Sequence, residues 1–135
     1  MSKKHAQLSW QNDTVPISNK FEDSYYSLEN GLHEANYVFI DGNSLQKRLS
    51  HGFQIAELGF GTGLNFLATC AAWNKASKTG KFNFVSFEGY PISNSDLRKA
   101  NLLFPELSEY AEMLQTRWDE IIEGNLVDFG YANLK

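Results

Sequence analysis

At 135 residues, with 42% hydrophobic and 21% charged side chains, the chain has the size and composition of one globular domain with its own hydrophobic core. Its formal net charge of −4 excludes the usual free-standing nucleic-acid binder, whose domain is basic; a nucleic-acid substrate would dock mainly on a surface outside these residues. No apolar run reaches about 18 residues, Met1-Ser2-Lys3-Lys4-His5 leads into polar sequence, and the single cysteine, Cys70, has no partner for an internal disulfide, which together predict a cytoplasmic protein without a transmembrane helix or secretory signal.

In chain order, residues 1–50 read as a β-rich extension. The first 36 residues are polar with scattered aromatics, among them Trp10, Phe21, Tyr25 and Tyr26, and Pro16 with its Asn, Ser and Asp neighbours marks loops and short strands. Tyr37-Val38-Phe39-Ile40, then Asp41-Gly42, then Leu45 through Leu49 predict a β-hairpin. Phe53 through Leu58 is a short apolar strand that ends in a glycine cluster, and Leu64 through Trp73 is an apolar segment of helical length that contains Cys70, read as a buried core thiol. Phe82-Asn83-Phe84-Val85-Ser86-Phe87 alternates apolar and polar residues and predicts a second strand. Ser93 with Asp96 three residues on predicts a helix start. Leu97, Ala100, Leu103 and Phe104 form the apolar stripe of that helix. Pro105 opens another helix, with Leu107, Tyr110, Ala111, Leu114 and Trp118 on one face. Leu126-Val127-Asp128-Phe129 predicts the start of a third strand.

Strands alternating with helices predict an α/β fold with a parallel sheet and right-handed crossovers, whose ligand-binding edge lies at the carboxyl ends of the strands. Glu57 through Gly63 and Glu88 both fall on that edge. Gly59, Gly61 and Gly63 alternate across a strand-to-helix turn, where glycine permits positive φ and close approach of a ligand to the backbone. A dinucleotide would call for the spacing G-x-G-x-x-G. Here the spacing is G-x-G-x-G, preceded by an acid. A carboxylate at Glu57 would repel a pyrophosphate and favour the ammonium or sulfonium of S-adenosylmethionine (SAM). Glu88, 31 residues later at the end of the next strand, is placed to accept both ribose hydroxyls. Tyr90 is placed to pack on the adenine, and Asn65, on the first helical turn, to reach the methionine carboxylate or a backbone group. The blander readings are a tight turn for the glycines, a solvated acid for Glu88, helix-start chemistry for Asn65 and a core-packing aromatic for Tyr90. The three histidines, His5, His33 and His51, are scattered without metal-ligand spacing, so no metal is expected. The basic pairs Lys3-Lys4, Lys47-Arg48 and Arg98-Lys99 read as solvated surface.

The stretch Ile55-Ala56-Glu57-Leu58-Gly59-Phe60-Gly61-Thr62-Gly63-Leu64-Asn65-Phe66-Leu67 resembles the SAM motif of the methyltransferase domain in the family of bifunctional tRNA 5-methylaminomethyl-2-thiouridine biosynthesis proteins. Similar too are Phe21-Glu22-Asp23-Ser24-Tyr25-Tyr26-Ser27, Glu29-Asn30-Gly31-Leu32, Tyr37 through Leu45, Phe87-Glu88-Gly89-Tyr90-Pro91-Ile92, Asp96-Leu97 and Phe104-Pro105-Glu106-Leu107. The resemblance runs from about residue 8 to about residue 118. The resemblance implies a Rossmann-like SAM-dependent methyltransferase fold with an N-terminal β-hairpin extension, residues 51–135 being its first half. It implies SAM-dependent methylation of the aminomethyl group of 5-aminomethyl-2-thiouridine at the tRNA wobble position, with tRNA as partner. Full-length relatives often carry a C-terminal flavin (FAD) oxidoreductase domain, which these residues do not contain. By position, Glu57, Gly59, Gly61, Gly63 and Asn65 would line the methionine end of SAM and Glu88 the ribose, and Tyr26 and Asn30 would close over the cofactor.

The family's later strand, ending in an Asp-Gly-Phe-Ala-Pro type motif, is not among these residues, and Gly130 through Lys135 does not supply it. The chain is therefore expected to be an N-terminal fragment or truncated member whose catalytic residues lie beyond Lys135. Two alternatives stay open: a SAM-dependent methyltransferase of another substrate, and a non-catalytic remnant. Half of such a sheet leaves its last strand edge and one helix face unpaired, and a dimer or marginal stability is expected.

Overall fold

The computed structural model describes residues 5–11, 15–18, 23–24 and 35–135. Three short strands open the fold: β1 (Leu8–Gln11), β2 (Val15–Ser18) and β3 (Asp23–Ser24), an antiparallel sheet in the order β1-β2-β3. In β1 and β2, Leu8 stands opposite Ser18 and Gln11 opposite Val15. This small sheet is tied to the rest of the fold. The Ala6 N–H donates to the Pro91 carbonyl at 2.9 Å, and the Lys99 ammonium lies 4.4 Å from the centre of the Trp10 ring.

The hairpin expected from Tyr37 to Leu49 does not form. Ala35–Asp41 is a π-helical segment, and α1 (Leu45–Arg48) follows it. Local polar side chains explain the difference. Asn43 Nδ2 donates to the Phe39 carbonyl at 2.8 Å and Gln46 Nε2 to Asp41 Oδ1 at 2.8 Å, while the Ser44 N–H caps the Asp41 carbonyl. These bonds satisfy backbone groups that a strand would have offered to a partner. Ser44 takes the left-handed conformation, φ 52°, and starts the helix. Ala35, Ile40, Leu45 and Leu49 are then all buried, at a five- and four-residue spacing that suits a π-turn and an α-turn rather than the period of two of a strand.

The main layer is a four-stranded sheet in the order β4-β5-β7-β6, with β4 (Gln54–Leu58), β5 (Phe82–Phe87), β6 (Val127–Asp128) and β7 (Ala132–Leu134). Strands β4, β5 and β7 are parallel, and β6 runs antiparallel to β7. The third parallel strand is thus β7, not the Leu126–Phe129 stretch. Asp128 Oδ1 accepts the Gly130 N–H at 2.7 Å, and Gly130 has φ 92°, so the chain turns back on itself there. Between the strands lie α2 (Leu64–Lys75), α3 (Asn94–Asn101), a 3₁₀ turn (Pro105–Leu107), α4 (Ser108–Thr116) and α5 (Trp118–Ile122). As expected, the Ser93 hydroxyl caps α3 by accepting the Asp96 N–H at 3.2 Å.

Register sorts the sheet into two faces. Ile55 stands beside Phe84, Phe82 beside Ala132, and Phe84 beside Leu134, and all are buried under α2 and the π-helical segment. Helix α2 is apolar nearly all round because it is the centre of the core: Phe66, Leu67, Cys70 and Trp73 are buried, and Phe66 packs edge-on against Phe84 at 5.3 Å. On the opposite face Leu58 stands beside Phe87, exposed by 88% and 63%. The open edge is also not the one expected. Among the described residues β7 is interior, and the free long edge belongs to β4, the first parallel strand. No helix among the described residues is long and apolar enough to cross a membrane.

Candidate cofactor-binding site

The carboxyl ends of β4 and β5 bring the two acids together. Glu57 is the fourth residue of β4 and stands beside Ser86 in the parallel register, while Glu88 directly follows β5. The glycine loop runs between them into α2. Gly59, Gly61 and Gly63 have φ of 83°, 59° and 79°, a region that side-chain-bearing residues rarely adopt. Around Gly59 a Cβ would meet nothing within 4 Å, so the loop is open to a ligand there. Gly63 is different: a Cβ would stand 2.8 Å from Phe60 Cε2 and 3.0 Å from Leu114 Cδ2, so packing as well as conformation requires glycine.

Glu57 is recessed. Asn65 Nδ2 donates to its Oε2 at 2.8 Å and the Ser86 hydroxyl to its Oε1 at 3.2 Å. Burial pushes its carboxyl up to about 7; the bonds from Asn65 and Ser86 pull the other way, and the charge of Glu88 adds to the rise. A group so placed is half-charged at neutral pH and would be drawn into its ionised form by an arriving cation.

Glu88 is held by main chain instead. The Gly61 N–H donates to Oε1 at 3.0 Å and the Tyr90 N–H to Oε2 at 3.2 Å. Each oxygen keeps a further lone pair for a ligand hydroxyl. Beside Glu88 lies a cavity of about 230 Å³, lined by Phe60, Phe87, Pro91, Trp118, Ile121 and Leu134 among others. Whole-ligand pockets measure ~300–1,000 Å³, so this cavity suits one flat apolar ring rather than an entire nucleoside.

The structure therefore brings Glu57, Gly59, Gly61, Gly63, Asn65, Glu88 and Tyr90 to one sheet edge. The Asn65 amide is directed at Glu57, not at open space. Tyr90 is 39% exposed at the mouth of the Glu88 loop. Tyr26 and Asn30 lie outside the described residues. Of the histidines, His51 Nδ1 accepts the Lys81 N–H at 3.2 Å and the His5 ring contacts the Pro91 carbonyl at 3.3 Å. Among the described residues no group of three or more His, Cys, Asp or Glu side chains is placed to hold a metal ion. Cys70 is buried, and burial raises its thiol far above the usual range, as suits a core residue. Sequence reasoning missed Ser86 and Phe60. Parallel pairing of two strands that both end in an acid-bearing turn would have put Ser86 beside Glu57; Phe60, between two glycines, gave no periodic signal.

No protein-family model matches the chain. By sequence it is 44% identical over 131 residues to the tRNA 5-methylaminomethyl-2-thiouridine biosynthesis bifunctional protein MnmC of Aeromonas hydrophila, covering 91% of this chain and 20% of that protein. It is 43% identical over 127 residues to the protein of the same name from Vibrio cholerae, covering 87% of this chain and 19% of that protein. The crystal structure of MNMC2 from Aquifex aeolicus superposes with a TM-score of 0.67 at 19% identity, over 98% of this chain and 42% of that one, a likeness of fold. The chain thus spans about a fifth of the length of the curated relatives it matches, and over that span the resemblance read from its motifs holds: it is similar to the bifunctional MnmC proteins.

Proposed function

We propose that residues 51–135 form the first half of a Rossmann-like SAM-binding domain, preceded by an N-terminal extension over residues 1–50. Its role is methyl transfer to the aminomethyl group of 5-aminomethyl-2-thiouridine at the wobble position of tRNA. The observation that carries this reading is the pairing of acids across the glycine loop: Glu57 recessed behind Asn65 and Ser86, Glu88 at the rim with both oxygens on backbone N–H groups. SAM has a cationic amino acid end and a ribose diol, and the two carboxylates match those two groups in kind and order. The apolar cavity beside Glu88 supplies a place for the adenine, and the exposed Tyr90 ring lies on the same loop as Glu88. Bound there, SAM would supply an electrophilic methyl group on its sulfonium.

This chain's own residues bind and orient. Glu57 would hold the ammonium, the glycine backbone would let the ligand approach without side-chain obstruction, and Glu88 would hold the ribose and so orient the bound ligand. The accepting amine must be neutral to attack, and the wobble base must leave the anticodon stack to reach this edge. A tRNA substrate places the reaction in the cytoplasm. The relatives' names call them bifunctional; we assign the second activity, FAD-dependent removal of a carboxymethyl group, to the part of their length that this chain does not span.

Calorimetric titration of the chain with S-adenosylhomocysteine tests the reading, alongside Glu88→Ala and Gly61→Val. Saturable binding is expected, weakened ~100-fold or more by Glu88→Ala and abolished by Gly61→Val. A folded wild-type chain that takes up no S-adenosylhomocysteine would sink it.

A further inference from the structure

Two loops meet at the candidate site, and one buried side chain touches both. Trp118, the first residue of α5, is 2% exposed. Its ring packs on Phe60, centroids 5.6 Å apart and planes tilted by 30°. Phe60 is the residue between Gly59 and Gly61, and its carbonyl accepts the Gly63 N–H at 3.0 Å, so the ring is anchored in the glycine loop. The Trp118 indole N–H donates to the Ile92 carbonyl at 2.9 Å, in a fully buried bond. Ile92 closes the loop that begins at Glu88. A buried indole must find an acceptor for its N–H. Here the acceptor lies on one ligand loop while the ring is stacked on the other.

We infer that Trp118 is a positioning residue for the candidate cofactor site: stacked on Phe60 and bonded to Ile92, it sets the separation at which Gly61 and Tyr90 converge on the two oxygens of Glu88. The Ala6 N–H holds the neighbouring Pro91 carbonyl, so the Glu88 loop is bonded at two consecutive carbonyls. The apolar stripe of the helical segment accounts for a large residue at position 118. It does not account for the donor, which a phenylalanine or leucine would lack. The role in ligand binding rests on the cofactor reading above; the loop geometry does not.

Amide hydrogen exchange tests the geometry without a ligand. Loss of a single buried hydrogen bond is worth about tenfold in an opening equilibrium. In Trp118→Phe the Gly61 and Tyr90 amides should therefore exchange ~10-fold faster than in wild type. Trp73→Phe is the control, because Trp73 packs on Phe82 in the core, away from both loops; it should not single out those two amides. If Trp118→Phe does not fold, a benzothiophene analogue of tryptophan at position 118 keeps the shape and removes only the N–H. In a Glu88→Ala background, where both amides have already lost their acceptor, the substitution at Trp118 should add nothing. Unchanged exchange at Gly61 and Tyr90, or a uniform rise matching Trp73→Phe, overturns the proposal.

Titration of the same proteins with S-adenosylhomocysteine separates the two ideas. Binding weakened ~10-fold by Trp118→Phe, with no further loss in the Glu88→Ala background, supports the positioning role. Loosened loops with undiminished binding overturn it. A wild-type chain that does not bind, while Trp118 still protects Gly61, overturns the cofactor reading and leaves the loop geometry standing.

Discussion

Glu57 and Glu88 stand at the ends of neighbouring parallel strands, two register positions apart, yet they are held by different parts of the chain. Glu57 belongs to the covered face of the sheet. Its partners are the side chains of Asn65 and Ser86, and burial has driven its carboxyl up to about 7. Glu88 lies just past the strand, at the rim, and its partners are the main-chain N–H groups of Gly61 and Tyr90. The first acid is a piece of the core that carries a charge only at a cost. The second is a piece of two loops, with each oxygen on a main-chain N–H. A ligand that is cationic at one end and a diol at the other would use each acid for what its surroundings make easy.

The largest effect expected from breaking this pair is on binding. Glu88→Ala removes the acceptor of both loop amides and of a ribose diol; bonds to a charged group are worth ~1.5–3 kcal/mol each, so affinity for S-adenosylhomocysteine should fall ~100-fold or more by calorimetry. Folding stability should change by less than about 1 kcal/mol, since the lost bonds lie at the rim.

Glu57 should show the opposite balance. Its folded value near 7 lies above its ordinary 4.5. Below about pH 4.5 both folded and unfolded forms are protonated and no penalty exists. Between about 4.5 and 7 the unfolded carboxyl ionises first, so stability should fall as pH rises, by up to about 3 kcal/mol, and then level off. Urea titrations across this window check the sign. Glu57→Gln should flatten the fall and leave the variant more stable than wild type at pH 8; a wild-type stability that rises from pH 5 to 7 would contradict the assignment. Binding of S-adenosylhomocysteine by wild type should in turn tighten towards pH 7, as Glu57 becomes free to ionise.

A smaller effect is expected at Asn65. Asn65→Ala leaves Glu57 with Ser86 alone and should destabilise the fold by about 1 kcal/mol at pH 8. The loss should shrink at pH 5, where the carboxyl is protonated in the fold. Equal losses at both pH values would mean that Asn65 serves the helix start and not the acid. The smallest effect concerns the uncovered side of the sheet. Leu58→Lys on the exposed face, next to the free edge of β4, should leave both acids unaffected and reduce self-association in sedimentation experiments. No change in association state would argue that the edge is not a contact.

The site was more legible than the elements around it. Acid, strand, alternating glycines, apolar helix and second acid are local patterns whose spacing carries chemistry, and the strands Gln54–Leu58 and Phe82–Phe87 formed where their composition put them. The stretch from Tyr37 to Leu49 went the other way. Its aromatic and β-branched residues resembled a strand, but Asn43 and Gln46 bond to backbone and side chain nearby, and Ala35 and Ile40 find burial as a π-turn beneath the sheet. The third parallel strand was displaced by five residues or so because Asp128 and Gly130 make a turn that only β7, already paired with β5, could complete.

What the sequence determines by itself is the set of groups and their order: an acid before three glycines, an asparagine on the following helix, a second acid at the next strand end. These follow from local conformational preference, which needs few partners. What only the tertiary structure decides is which of those groups are buried and what each one touches. Ser86 beside Glu57, Gly61 on Glu88 and Trp118 between the two loops all arise from pairing and packing across 26 to 29 residues of chain. Parallel register and core packing place those contacts, and burial then raises the carboxyl of Glu57 above its ordinary value.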